Sequence, residues 1–261
     1  MRSLSIGATG MLAQQLNVEV ISNNIANMTT TGFKRQRAEF QDLLYQNMRR
    51  VGSTSSDAGT VVPSGVQIGA GVKTAAVYRI NEQGNISVTG NALDLAINGQ
   101  GYFQVELPDG QTAYTRAGSF QLNAEGTIVT ADGYQLQPGL VVPENAVDIT
   151  VNPNGEVLVK LDGQTQPANI GQIQLATFPN PAGLEAIGDN LLLESPASGN
   201  VIAGNPGAPG FGRVIQQALE TSNVNIVSEI TNLITAQRAY EMNSRVISTS
   251  DQMMQSISQM R

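Results

Sequence analysis

Residues 226–254 read IVSEITNLITAQRAYEMNSRVISTSDQMM, and within them Ile226, Leu233, Tyr240, Ile247 and Met254 recur every seven positions. A heptad returns one side chain to the same seam of a helix every two turns, which is the condition for lying along another helix. The opening of the chain carries the same signal through Leu4, Met11, Val18 and Ile25. Residues 3–26 therefore read as one helix, with Ala8, Leu12, Leu16 and Ile21 widening its apolar stripe. The C-terminal helix is expected to start after a Ser222-Asn223 cap and run some 36 residues, about 54 Å at ~1.5 Å per residue. Its second stripe, starting at Ile230, decays into Gln237, Ser244, Asp251 and Ser258, which argues against a dry two-stranded zipper. Asn17, Asn23, Asn24, Asn225, Asn232 and Asn243 add groups that need hydrogen-bond partners wherever they are buried. One helix pair along such a seam buries too little apolar surface to offset its own ordering. The nine heptad residues are accordingly candidate subunit-interface residues, with other copies of the chain supplying further contacts.

Between the two ends the pattern changes. The first helix stops at Asn27-Met28-Thr29-Thr30-Thr31-Gly32, where weak helix formers precede a glycine able to turn the chain. Residues 34–48 resume a polar-apolar pattern through Phe40, Leu43, Leu44 and Met48, and residues 52–60 have a linker's composition. From Val66 to about Leu193, short β segments alternate with turns. Tyr102 to Leu107, then Pro108-Asp109-Gly110, then Thr112 to Arg116 predicts a hairpin. An Asn-x-x-Gly-x-β-branched theme recurs at Asn81, Asn123 and Asn152 with irregular spacing, which indicates reuse of a turn and strand without a solenoid. Gly199 to Gly212 reads as a second linker.

Composition narrows the function classes. Charged residues make up only 13% of the 261, and the net charge of −7 is concentrated in the middle. Residues 51–215 hold fourteen acidic and five basic groups, against seven acidic and nine basic in the two ends. Phosphate binding requires a basic surface, so nucleic acid is not an expected partner. No run approaches the ~18 apolar residues of a membrane span, and the N-terminus makes a poor cleavable signal, so no direct membrane insertion is expected.

The chain contains no Cys, His or Trp. That excludes thiol and imidazole nucleophile pairs and the usual zinc sites. There is no Gly-Lys pair for a phosphate loop and no Gly-x-Ser-x-Gly elbow. Asp109, Asp132 and Asp162 precede glycines as in turns, without the alternating ligands of a calcium loop. Asp94 with Glu106 is a conceivable carboxylate pair, but nothing in the sequence places the two together. No catalytic, cofactor-binding or metal-binding residues are assigned, and a non-enzyme is expected.

Three stretches carry a resemblance. Asn23-Asn24-Ile25-Ala26-Asn27 with Thr31-Gly32-Phe33-Lys34 resembles the N-terminal signature of bacterial flagellar rod and hook proteins. Leu95-Ala96-Ile97-Asn98-Gly99-Gln100-Gly101-Tyr102-Phe103, with Tyr114-Thr115-Arg116-Ala117-Gly118-Ser119-Phe120, is similar to their shared β motif. Glu220-Thr221-Ser222-Asn223-Val224-Asn225 and the stretch from Ala236, Gln237, Arg238 and Tyr240 to Ser244 resemble their C-terminal signature. Within the family, the length and residues 32–46 are most similar to the distal-rod members; proximal rod and hook subunits are the alternatives. A secreted carboxylate-based hydrolase or surface adhesin is the reading from another class.

The resemblance implies a structural subunit that polymerises into a hollow helical drive shaft carrying torque to the hook. It implies as partners other copies of the chain, proximal rod proteins, hook protein, peptidoglycan and outer-membrane ring proteins, and the flagellar type III export apparatus. It also implies a basal-body location spanning periplasm and outer membrane, without a cleaved signal. The expected architecture is α+β: long N- and C-terminal helices pairing as a coiled-coil-like domain, a β-rich, mostly antiparallel central domain, and an extended connector. The expected boundaries are 1–45 plus 217–261 for the terminal domain, 46–90 plus 200–216 for the connector, and 91–199 for the outer β domain. The resemblance implies that the stretch around Gln46 to Gln67 belongs to a connector associated with rod stiffness.

Overall fold

A computed structural model describes residues 2–49, 64–164 and 166–260. The candidate linker at 52–60 lies outside them. The fold is α+β and divides into two compact units, Met1–Ile25 with Gln36–Tyr78 and Ile226–Arg261, and Ala26–Arg35 with Arg79–Asn225.

The first unit contains α1 (Arg2–Ala26), β1 (Gln36–Asp42), β2 (Tyr45–Arg49), β3 (Val66–Gly69), β4 (Val72–Arg79) and α2 (Ile226–Gln259). The apolar stripe of residues 3–26 is realised as one uninterrupted helix. Residues 36–49 are extended instead of helical: β1 pairs with β4 and β2 with β3. The Leu43 N–H donates to Gly71 O (2.8 Å) and the Ala70 N–H to Leu44 O (3.2 Å), which carries the pairing from one strand pair into the next. The alternation around Phe40 therefore follows a strand's period of two.

Among its described residues the regular structure of the second unit is β apart from a 3₁₀ turn at Pro181–Gly183. Its strands are β5 (Ile86–Val88), β6 (Leu95–Asn98), β7 (Tyr102–Glu106), β8 (Thr112–Thr115), β9 (Gln121–Leu122), β10 (Ile128–Val129), β11 (Gln135–Leu136) and β12 (Ala146–Val151). They continue as β13 (Glu156–Leu161), β14 (Ala168–Gln172), β15 (Leu175–Thr177), β16 (Glu185–Gly188), β17 (Leu191–Leu193), β18 (Ile202–Gly204), β19 (Arg213–Gln216) and β20 (Ala218–Glu220). The main sheet runs β16-β17-β8-β7-β11-β10-β9, and β15 joins β7 to β18. A three-stranded sheet β12-β13-β14 and the pairs β19-β6 and β20-β5 complete the unit. The hairpin expected over residues 102–116 is β7-β8, closed by the Gly110 N–H to Leu107 O at 2.9 Å.

Strands β7, β8 and β15 bury both faces. Phe103, Val105, Ala113 and Leu175 point into the larger core with Phe120, Leu136, Val157 and Ile173, while Tyr102, Tyr114 and Ala176 turn to a smaller one with Phe178 and Leu184. Alternate side chains leave opposite faces of a strand, so each of these strands serves both clusters. Phe103 meets Phe120 edge-on at 5.2 Å, and Tyr114 meets Phe178 edge-on at 4.8 Å.

One stretch that reads as a linker is an ordered part of this unit. The Gly199–Gly212 stretch supplies β18, which pairs with β15, and Phe211 packs on the larger core. Residues 79–90 and 200–216 both belong to this unit. Glycine and proline density thus marks tight turns here, not slack chain. The Asn-x-x-Gly turns at Asn123 and Asn152 close hairpins, with the Gly126 and Gly155 N–H groups donating to Asn123 O and Asn152 O. At Asn81 the theme differs, for the Gly84 N–H donates to the Glu220 carboxylate at 2.9 Å.

Candidate assembly sites

Within the first unit, α1 and α2 run antiparallel. Gly7 faces Ile247, Gly10 faces Asn243, and Asn24 reaches Glu229. The helices approach so closely that a Cβ on Gly7 would come within 2.9 Å of Ile247, and one on Gly10 within 2.8 Å of the Asn243 amide. Continued in register, this pairing carries Met254 to Met260 past the start of α1. The buried positions of the pair are Gly7, Ala13, Val20, Ile21 and Asn24 on α1 and Glu229, Ala236 and Ser250 on α2. Glu229, Ala236, Asn243 and Ser250 are themselves spaced by seven, offset three from the Ile226 stripe. The inward face of α2 is therefore small and polar.

Asn24 closes this unit's polar contacts. Its Nδ2 donates to Gln36 O at 2.8 Å and to Glu229 Oε2 at 3.1 Å, and its Oδ1 accepts from the Gln36 N–H at 2.8 Å. One amide thereby imitates a strand neighbour for the start of β1 and holds the carboxylate at the start of α2.

The nine heptad residues lie along the rim of the pair. Leu4, Met11, Val18, Ile25, Leu233 and Ile247 are half-buried, while Ile226, Tyr240 and Met254 are exposed. Val18, Tyr240 and Gln237 line a groove of about 480 Å³ with Gln15, Glu19 and Glu241. Arg238 is exposed, as are Leu12, Val227, Met242 and Ile257.

The other motif residues gather in the second unit, around a buried charge cluster. Glu220 accepts from Lys34 Nζ at 2.5 Å on one oxygen and from Arg116 Nη1 at 3.2 Å on the other. The three side chains are 0%, 6% and 8% exposed in that order. Lys34 also donates to Glu82 O (2.8 Å), and Arg116 to Gly99 O (2.7 Å) and Ile97 O (3.3 Å). Burial lowers the Lys34 ammonium below the usual lysine range against the opposing pull of Glu220, and Arg116 lowers it further. Asn223 braces the same region: its side chain accepts from the Arg35 N–H (2.7 Å) and donates to Ile80 O (2.9 Å) and Glu82 O (3.0 Å). It is not the cap expected of it, since α2 begins three residues later.

Backbone geometry explains the motif glycines. Gly32, Gly99 and Gly101 have φ of +69°, +112° and +138°, and a Cβ on Gly32 would meet the Arg116–Ala117 peptide at 2.7 Å. The Gly32 N–H donates to Glu220 O at 2.8 Å. Phe33 is half-buried beside them, Asn27 accepts from the Thr30 hydroxyl, and Asn23 is exposed at the end of α1. Lys34, Arg116 and Glu220 stand inside the three sequence motifs but carry no local pattern that singles them out. Their shared signal was the scarcity of charge, which makes each charged residue inside an otherwise apolar motif a candidate for pairing. Asp94 and Glu106 do not form a pair: Asp94 is buried on Thr89 and Asn91, and Glu106 is exposed.

The N-terminal, central and C-terminal motifs thus close on one carboxylate, in a chain whose paired helices keep apolar residues on the outside. These are features of a structural subunit. Three family descriptions match in the same order: flagella basal body rod protein over residues 4–34, flagellar hook protein FlgE/F/G D1 domain over 96–159, and flagellar basal body rod FlgEFG protein C-terminal over 215–260. The chain is 64% identical over 261 residues to the flagellar basal-body rod protein FlgG of Caulobacter vibrioides, covering all of both chains. It is 53% identical to the FlgG of Agrobacterium fabrum, with 97% of each chain covered, and 30% identical to the flagellar hook-basal body complex protein FlhP of Bacillus subtilis over their full lengths. The chain belongs to the flagellar basal-body rod and hook protein family. Within that family it is most like the distal rod protein, and it is a structural subunit of the flagellar basal body.

Proposed function

We propose that copies of this chain polymerise through their terminal segments into the distal rod, a hollow helical shaft that transmits motor torque to the hook. The observation that carries this is the inverted character of the helix pair. Apart from Val20 and Ile21, the enclosed residues are small or polar, namely Gly7, Ala13, Asn24, Glu229, Ala236 and Ser250, while Leu12, Val227, Met242, Met253 and Ile257 are outside. An apolar exterior on two long helices favours contact with further copies. Leu4, Met11, Val18, Ile25, Ile226, Leu233, Tyr240, Ile247 and Met254 border that exterior and are assigned to it.

In this reading residues 1–45 and 217–261 are the inner assembly segments, 91–199 the outer domain, and the stretches between them the connector. The role requires no turnover. Proximal rod and hook subunits adjoin the ends of the shaft, ring proteins of the peptidoglycan and outer membrane surround it, and the flagellar export apparatus delivers the chain. The test is Leu233→Asp, which puts a carboxylate into the half-buried seam at a cost of several kcal/mol. Cells carrying it should lack distal rods, while the purified chain keeps the wild-type melting transition of its β unit. Normal rods and motility would overturn the assignment.

A further inference from the structure

Beside the buried charge cluster the second unit has a small cavity of about 190 Å³, lined by Asn81, Gln100, Tyr102, Arg116 and Thr177 among others. Its chemistry departs from that of the region around it. Residues 51–215 hold only five basic groups, and two of them, Arg79 and Arg116, act on Tyr102. The Arg116 guanidinium lies 5.6 Å from the centre of the Tyr102 ring. Arg116 spends Nη1 and Nη2 on Glu220, Ile97 O and Gly99 O, yet its Nε–H is buried with no partner. A buried donor without a partner is costly and uncommon. Tyr102 is 5% exposed, and its hydroxyl makes only a 3.5 Å contact with Asn81 Oδ1. With Lys34 behind it, the cluster carries two cations against the one carboxylate of Glu220.

We propose that this cavity is a carboxylate site, and that its occupant is an acidic side chain on an exposed turn of a second copy of this chain. The volume admits the tip of an Asp or Glu side chain, and Tyr102, Asn81 and Arg116, which line the cavity, receive it. Charge complementarity names the donor. The same domain exposes Asp109, Asp132, Asp162 and Glu125 at turn tips, in a region with fourteen acidic groups. A cationic cavity on a shell of acidic turns supplies one directional contact between surfaces that otherwise repel. The identity of the occupant rests on the polymerisation proposed above; the cavity's ligand chemistry does not.

The experiment uses the full chain. Sodium acetate is titrated against sodium chloride at matched ionic strength while the Arg116 Nε–H and Gly101 amide resonances are followed by NMR. Acetate should shift both saturably and chloride should not; no acetate-specific shift removes the site. Self-association is then measured by sedimentation for the wild type, Tyr102→Phe and Asn81→Ala. Each variant should weaken association about tenfold, the worth of one charge-assisted hydrogen bond, and acetate should weaken the wild type likewise. If acetate binds while association is indifferent to it and to both variants, the occupant is not a second copy. If the wild type does not self-associate at all, polymerisation fails, and the acetate titration still decides the cavity.

Discussion

The β unit and the helix pair differ in how much large apolar side chain they bury. In the β unit, Phe103, Phe120, Leu136, Val157 and Ile173 are almost wholly enclosed, and the buried Lys34, Arg116 and Glu220 are ion-paired. In the helix pair, the enclosed residues are Gly7, Ala13, Val20, Ile21, Asn24, Glu229, Ala236 and Ser250, and Leu12 stands 66% exposed. Hydrophobic burial contributes roughly 25 cal/mol per Å² of apolar surface removed from water, so the first arrangement gains far more from burial than the second, where Val20 and Ile21 are the large apolar side chains enclosed. What holds the helices close within one chain is steric fit at Gly7 and Gly10 and the hydrogen bonds of Asn24. The surface that would stabilise them by burial faces outward. A subunit built this way can be folded in its β unit before assembly and gain its helical stability on assembly.

The largest test of that contrast is Glu220→Gln. Removing the carboxylate leaves Lys34 and Arg116 as buried cations facing each other, at a cost of about 3–5 kcal/mol. Calorimetry should show the melting transition of the β unit falling by roughly 10 °C. Lys34→Met should cost clearly less, because Glu220 keeps Arg116 and the Gly84 N–H. Equal losses in the two variants would show that the cluster is not organised around Glu220.

Asn24→Ala should come next, at about 1–3 kcal/mol of the helix pair's stability, since it strips partners from the Gln36 backbone and from Glu229. Hydrogen exchange should quicken at Gln36 and in the first turns of α2, with the β unit unchanged. Quickening throughout the β unit would contradict the separation of the two regions.

These residues also mark what could and could not be read from sequence. The stripe of residues 3–26 and the Pro108-Asp109-Gly110 turn are local signals, and α1 and the β7-β8 hairpin follow them. The stripe on α2 was legible, but its inward companion was not. Glu229, Ala236, Asn243 and Ser250 are invisible to a search for apolar spacing, because the requirement there is small volume and hydrogen bonding. Residues 36–49 read ambiguously, since an alternating pattern and a helical one share apolar positions over so short a run. Gly199–Gly212 has a linker's composition, and only the pairing of β18 with β15 shows that its turns are tight. The Lys34–Glu220–Arg116 cluster depends on contacts between residues far apart in the chain, which no local pattern encodes.

A weaker effect on stability separates folding from assembly. Leu12→Gln replaces an exposed side chain, so the melting of the single chain should stay within about 0.5 kcal/mol of wild type. Rod formation, followed by electron microscopy of basal bodies, should nevertheless fall sharply. Unchanged rod formation would mean that this part of the exterior meets solvent in the assembled state as well.

The smallest effect concerns pH. Burial holds the Lys34 ammonium below its ordinary value of 10.5, although Glu220 opposes the shift. Between the lowered value in the folded chain and 10.5, the unfolded chain binds more protons than the folded one. Stability contributed at this position therefore rises with pH across that window, and below it both states are protonated and the cost of burying the charge is present in full. Other groups titrate in the same range, so the measurement is a difference: urea midpoints of wild type and Lys34→Met, compared from pH 8 to 10.5. The wild type should gain on the variant as pH rises. If it loses ground instead, attraction to Glu220 outweighs desolvation. The cluster would then be a net source of stability in the β unit, and the apolar core would share that role with a buried ion pair.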